Sequence, residues 1–401
     1  MSVEELIGIA KSKSDLTCER IKIRYLDAQS IGPGQFIRIR FPRMPGKILD
    51  LDKIYMAFFL QGISTDPNAY LDSSTVQSVF GHGLVKSGNT LLADIEHMYL
   101  LSQSLYDINN EVNTSTAERY MVGDVSVADA KTAFLLPAPG QQYICKFFPR
   151  GSILNHKGLL PLDLANDFSV EMTMNTAALS IYSPLGTTTS SWNITGMELH
   201  ADFITSKSIS EHFRNTHSFN LTVTDYSYRY HLLNGVTIGQ VRWPSASTSL
   251  DKIYVICRNP TTSQSIATLN KSRVAINGST LVSYQVKVNT QNLYSDPVLG
   301  MGSNSYEAFE EFRSAFPSVY TAAFYNSTAF GGSQFRVGID LEAAPEQFRS
   351  ELLTGVNTGM INNDIIWQPV FNTSTVCRVD SFLLSSVNVS LPKPGDIQVT
   401  L

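Results

Sequence analysis

The side chains that do chemistry are present in ordinary numbers: 7 His, 4 Cys and 35 Asp plus Glu. Their spacing is what fails. A helical zinc pair needs two imidazoles four residues apart; His212 and His217 miss that spacing, so surface or hydrogen-bonded roles are expected for both. Cys18, Cys145, Cys257 and Cys377 lie far apart with no C-x-x-C pair, each in an apolar or strand-like stretch, and are expected as buried free thiols. Gly81-His82-Gly83 approaches a dinucleotide loop, but Lys86 stands where the third glycine belongs, so a turn is expected there. No G-x-S-x-G elbow and no phosphate-cradling G-x-x-x-x-G-K-S/T loop occur. Carboxylates are abundant enough for a glycosidase pair, yet sequence alone brings no two of them together. The expectation is a chain with no catalytic, cofactor-binding or metal site, no cofactor and no enzymatic activity.

The elements that would have to position such residues are legible from composition. The chain has 401 residues, 43% hydrophobic, 10% aromatic and only 16% charged. That is ample apolar material for a core, which excludes disorder, and the length suits two domains. The charged fraction is below the usual ~25%, as for a surface covered by other subunits. The longest apolar run, Ile54 to Leu60, is far short of the ~20 residues that span a bilayer. Glu4 and Glu5 stand where a signal peptide carries positive charge, so synthesis and folding inside a cell are expected. A net charge of −5 and the lack of a basic arm argue against strong nucleic-acid binding. Arg20, Lys22, Arg24, Arg38 and Arg40 alternate with apolar residues and read as the outward face of half-buried strands.

Period-two alternation recurs throughout: Ile21-Ile23-Tyr25, Ile37-Ile39-Phe41, Val170-Met172-Met174, Leu221-Val223, Tyr226-Tyr228-Tyr230 and Val387-Val389-Leu391. Turns are expected at Gly32-Pro33-Gly34, Pro42 to Gly46, Pro137 to Gly140, Asn234-Gly235 and Gly331-Gly332. Few helices fit: Leu91 to Ile108, Ser305 to Phe316 with Asn304 and Glu307 as a capping box before Pro317, and one from Pro345 to Gly355.

An internal repeat organises the strands. Ile31-Gly32-Pro33-Gly34-Gln35, Arg40-Phe41-Pro42 and Leu51-Asp52-Lys53-Ile54-Tyr55 follow in order. Ile238-Gly239-Gln240, Arg242-Trp243-Pro244 and Leu250-Asp251-Lys252-Ile253-Tyr254 repeat that order, and an alternating strand precedes each copy. Duplication of one β-sandwich, joined near Lys207 to Arg214, is the reading.

Two segments carry a resemblance. One runs from Cys145 through Phe147-Phe148-Pro149-Arg150-Gly151 to Leu160-Pro161-Leu162, then Val170 to Met174. The other runs from Leu199 to Thr205, then Ser210-Glu211-His212-Phe213 and His217-Ser218-Phe219. With the helix expected after Ser87-Gly88-Asn89, they resemble the double jelly-roll major capsid proteins of the adenovirus, tectivirus and large-DNA-virus lineage, from about Leu16 to Leu401. The resemblance implies an all-β fold of two consecutive eight-stranded jelly-roll β-sandwiches with a few short inserted helices. It places a short polar linker between the rolls, and assigns 1–17 to an N-terminal arm, 18–208 to the first roll and 209–401 to the second. This chain is shorter than the large-virus members, so long tower loops are not expected.

The implied function is a major capsid protein that assembles as pseudo-hexameric homotrimers into an icosahedral virion shell. Its partners would be neighbouring capsomers, penton and minor capsid proteins, with the arm Met1 to Lys13 reaching an internal membrane or a minor protein. Two rivals make different predictions. A carbohydrate-binding or carbohydrate-active sandwich would be a monomer with an aromatic cleft, and a single-jelly-roll RNA-virus coat protein with a protruding domain would have dissimilar halves.

Overall fold

A computed structural model describes residues 16–25, 27, 29–72, 75–102, 133–146, 148–149, 151–162, 165, 167–186, 189–216, 220–269, 271, 276, 279–302, 305–316, 330, 332, 335–342, 355–359, 364–393 and 396–400. The architecture is all-β, two consecutive jelly-roll sandwiches with a few short helices.

In the first half the alternating runs form β1 (Thr17–Arg24), β2 (Phe36–Arg40), β3 (Lys47–Asp50), β4 (Tyr55–Ile63), β5 (Tyr70–Leu71), β6 (Phe80–Ser87) and β7 (Thr90–Ile95). They continue with β8 (Gln141–Cys145), β9 (Leu159–Pro161), β10 (Phe168–Met174), β11 (Ile181–Tyr182) and β12 (Ser191–Thr205). One sheet has the order β8-β4-β12-β3-β9 with β1 added on β12; the facing sheet has the order β2-β10-β6-β7. Met56, Phe58 and Leu60 of β4 point into the space between the sheets and are buried, as are Ile37 and Ile39 of β2 and Val170 and Met172 of β10. Each such side chain contributes about 1.5–3 kcal/mol by leaving water.

The second half contains β13 (Asn220–Ile238), β14 (Val241–Trp243), β15 (Leu250–Arg258), β16 (Leu281–Val288), β17 (Gln291–Asn292), β18 (Val298–Leu299), β19 (Val337–Asp340), β20 (Ile365–Lys393) and β21 (Asp396–Thr400). Here β20 is one long strand that serves both sheets. Its first part pairs with β14 and β16, and its later part with β15 and β13. The order β19-β15-β20-β13 thus repeats β8-β4-β12-β1, and β14-β20-β16 repeats β2-β10-β6.

The register repeats as well. Arg40 faces Ser169 while Phe168 faces Ser87 in the first half; Arg242 faces Ile366 while Ile365 faces Val288 in the second. Both hairpins after these strands have two-residue loops entered by a left-handed residue, Gly88 at φ 56° and Asn289 at φ 60°, the conformation that glycine and asparagine tolerate best. The Arg-aromatic-Pro repeat therefore occupies the same rung of the same ladder in each half.

Several sequence expectations are corrected. The helix expected from Leu91 begins only at 98, because the Gly88 turn folds residues 90–95 back onto β6 as β7; its continuation past 102 lies outside the described residues. The helix Tyr306–Ala315 is present with Phe309 and Phe312 buried. Ser305 is the N-cap, its side chain makes no capping bond to the helix, and the Glu307 carboxylate accepts from the Leu299 amide, 2.8 Å. Asn304, Pro317, Gly331, the helix expected from Pro345 and residues 1–15 of the arm lie outside the described residues.

Gly81-His82-Gly83 is no turn but the interior of β6, where a Cβ on Gly83 would come within 2.9 Å of the Phe148 ring and 3.1 Å of the Met98 sulfur. Asn234-Gly235 is a bulge within β13 rather than a turn, with Gly235 at φ 65° and the register shifting beside it. The implied polar linker is a helix, Lys207–Thr216, whose Ile209 and Phe213 are one turn apart and both buried. Cys145, Cys257 and Cys377 are buried thiols, but Cys18 is exposed, because β1 is an edge strand and its even-numbered residues face outward.

Candidate assembly interface

The two halves meet where β13 lies against the end of β7 and the turn after it. Tyr226 and Tyr228 of β13 are buried there, and the His97 ring packs 4.3 Å from that of Tyr228. The Thr224 amide donates to the Gly151 carbonyl across the same boundary, 2.9 Å. Behind Tyr228 sits a buried charge cluster. Asp380 of β20 accepts from Arg258 Nε at 2.7 Å, from Arg378 Nε at 2.9 Å and from the Tyr228 hydroxyl. Burial alone would raise the Asp380 pKa, but the charge and hydrogen bond of Arg258 and the charge of Arg378 carry it below the ordinary value. Burial pushes His97 down to about 4, with Arg378 and Arg258 acting in the same direction against Asp380. Burial pushes Asp225, on β13, up to about 6, and the charge of Asp94 in the first half adds to it.

A second anchor joins the halves through Lys271. Its Nζ donates to the Ile181 carbonyl at 2.9 Å and lies 3.5 Å from Asp72 Oδ1, with both side chains fully buried, while its amide donates to Asp72 Oδ2 at 3.1 Å. The Ser183 amide donates to the Ile266 carbonyl nearby, 2.9 Å. Ion pairs removed from water cost desolvation and return it only when fully hydrogen-bonded, so such pairs fix geometry more than they add stability.

The matching face of the first half is built differently. Pairing of β1 with β12 and of β13 with β20 places Arg20, Lys22 and Arg24 where Tyr226, Tyr228 and Tyr230 stand, and Glu198 where Asp380 stands. The Arg20 guanidinium grips Asp202 with two bonds, 2.6 and 2.9 Å, and Arg24 Nε donates to Glu198 at 2.9 Å. The three basic side chains are 51%, 60% and 70% exposed. Beneath them the rings of Tyr55 and His200 stack at 4.7 Å, at the places held by Tyr254 and Phe382 in the second half. The basic residues read from the sequence as an outward face are thus on one: Arg40 is exposed and Arg38 is half-buried beside Glu171 and Asp167.

Among the described residues no group of three or more His, Cys, Asp and Glu could hold a metal ion. The helix Lys207–Thr216 carries His212, while His217 lies outside the described residues. His82 sits within hydrogen-bond distance of Asp94, 2.6 Å, which raises its pKa. No helix among the described residues is long and apolar enough to cross a membrane. An open groove of about 330 Å³ beside β16 is lined by Tyr284, Lys287, Pro297 and Gln368 among others. What the sequence reading missed is the polar set between the halves: Asp72, Arg258, Lys271, Arg378 and Asp380. Its one local signal is Arg378-Val379-Asp380, charge placed in a strand whose neighbouring Val379, Phe382 and Leu383 are buried.

No protein-family model matches the sequence, and no curated protein matches it. Solved structures do match, across nearly the whole chain. PBCV-1 VP54, fitted into a reconstruction of the virophage Sputnik, aligns with TM-score 0.65 and 10% identity over 96% of this chain and 97% of that one. The Faustovirus major capsid protein aligns with TM-score 0.58 and 8% identity over 93% and 90%. The Sputnik virophage structure aligns with TM-score 0.57 and 8% identity over 96% and 88%. The fold of this chain is the one these double jelly-roll proteins share.

Proposed function

We propose that this chain is the major capsid protein of an icosahedral virus, a structural protein without catalysis that builds the virion shell from pseudo-hexameric trimers. The observation that carries this reading is the repeat of strand order and register between the halves. Two sandwiches with the same edges can occupy quasi-equivalent places, so three chains in a closed ring present six similar sides. Likeness in fold to the Faustovirus major capsid protein over 93% of this chain supports it. The low charged fraction and plentiful aromatics suit surfaces that end buried between subunits. We divide the chain into an arm, 1–17, a first roll, 18–208, and a second, 209–401. Neighbouring capsomers, penton and minor capsid proteins are the partners, and Met1 to Lys13 is the segment that reaches a minor protein or an internal membrane.

The test is the mass of the purified chain by sedimentation, with electron micrographs of any particles. Three times 44.3 kDa and a six-sided outline are expected. A monomer that binds oligosaccharide instead would establish the carbohydrate-binding rival. Deleting Met1 to Lys13 tests the arm: shells that still form and pack normally would remove its docking role.

A further inference from the structure

We infer that the outward face of β1, with Cys18, Arg20, Lys22 and Arg24, is the seat for a second copy of this chain. That copy would approach with the edge formed by β17, β18 and the first turn of the helix Tyr306–Ala315. The inference rests on the trimer reading above and gives it named surfaces.

The template is the contact inside one chain. There the segment following the β6-β7 hairpin of the first half, with His97 and Tyr99, covers the outward face of β13 and β20 in the second. Strand order and register make β1 and β12 the counterpart of β13 and β20, and β16 and β17 the counterpart of β6 and β7. Among the described residues each chain thus has one such joint made, while the outward face of β1 in the first half and the hairpin edge of the second stay exposed. Completing the joint between chains is a heterologous contact, which closes into a ring when the rotation allows.

Two further observations point to the same pairing. The hairpin edge exposes large apolar side chains, Leu293, Leu299 and Tyr306 at 38%, 42% and 62%. Solvated surfaces carry such residues singly, whereas these fall within one short stretch. Its charge is complementary too: residues 291–313 carry Asp296, Glu307, Glu310 and Glu311 against Arg313 alone, facing the three cations of β1.

Cys18 makes the test direct, since it shares the outward face with Arg20 and the other three thiols are buried. Maleimide labelling of Cys18 in the wild-type trimer is expected to be at least tenfold slower than in a monomer. The monomer is supplied by Lys22→Glu with Arg24→Glu, or by Glu307→Lys with Glu310→Lys; each pair should shift the trimer to monomer, and the four together should restore it. Labelling of Cys145, Cys257 or Cys377 identifies a variant that has unfolded, and Cys18 in the wild type, compared with a free cysteine peptide, then decides alone. A wild-type trimer whose Cys18 reacts as fast as the peptide, or folded variants that stay trimeric, would overturn the surface assignment and leave the trimer standing. A wild-type chain that sediments as a monomer would overturn both.

Discussion

Glu198 and Asp380 occupy the same rung of the same ladder in the two halves, yet they live in different media. Glu198 is half-buried but paired with the solvent-exposed Arg24 and Lys22; Asp380 is sealed between the halves with Arg258, Arg378 and Tyr228. Burial works to raise the pKa of both, and in both the cationic partners win and lower it. What differs is the consequence of losing the acid. Around Glu198, water replaces the lost partner. Around Asp380 nothing can, so the fold tolerates the same chemistry at one copy and depends on it at the other.

Substitution at the matched pair is the strongest way to break that contrast. Asp380→Ala strands two guanidiniums, of which Arg258 is 2% exposed, and a loss of about 3–5 kcal/mol in denaturant unfolding is expected. Glu198→Ala should cost less than about 1 kcal/mol, the range for exposed pairs. Equal losses at the two sites would mean that the boundary between the halves is wet, and the comparison would fail.

Titration sharpens the same boundary. A half-buried His97 stays neutral in the folded chain down to about 4 but takes up its proton near 6.5 when unfolded, so stability falls as pH drops through that window, by about 3 kcal/mol. Asp225 acts oppositely. Its folded carboxyl holds a proton up to about 6 against 3.8 unfolded, so the stability it contributes is present in acid and lost as pH rises, again by about 3 kcal/mol. The two slopes nearly cancel between pH 4 and 6. Asp225→Asn should therefore uncover a steep loss on acidification, and His97→Gln the reverse slope, in unfolding followed across that range. Glu19 holds the place of Asp225 in the first half and is exposed beside Lys47 at 2.5 Å.

The repeat was readable because strand chemistry is local: alternation, a proline after the aromatic, and a turn residue with positive φ each act over a few residues. Arg40-Phe41-Pro42 and Arg242-Trp243-Pro244 accordingly fall on one rung. Position relative to the other half is not local, and that is where the reading failed. Nothing near Lys271 announces that Asp72 will bury beside it, and nothing in residues 81–83 says that Phe148 and Met98 will pack on that strand. Cys18 was misplaced for the same reason: alternation gives two faces and does not say which one a second body covers.

Leu-Asp-Lys-Ile-Tyr gives the finest version of the contrast, since five identical residues form different structures. In the first half residues Leu51–Lys53 make a 3-10 turn before β4, held by the Asp50 carboxylate on the Asp52 amide at 3.1 Å and by Lys146 Nζ on Asp52 Oδ1 at 3.0 Å. In the second half Leu250 already begins β15, and the Asp251 carboxylate turns inward to accept from the hydroxyls of Ser249 and Ser386, both at 2.6 Å. Burial would raise both carboxyls. The hydrogen bond and charge of Lys146 carry Asp52 below its ordinary value, whereas two neutral hydroxyls do not offset burial for Asp251, which stays raised. Asp251→Ala leaves the buried Ser249 hydroxyl and the half-buried Ser386 hydroxyl without this acceptor and is expected to cost about 1–3 kcal/mol in thermal or urea unfolding. Asp52→Ala, with Lys146 free to turn to water, should cost less than about 1 kcal/mol. If Asp52 proved the costlier, the pentapeptide would be setting its own structure, and the neighbours that differ between the halves would not be what decides between turn and strand.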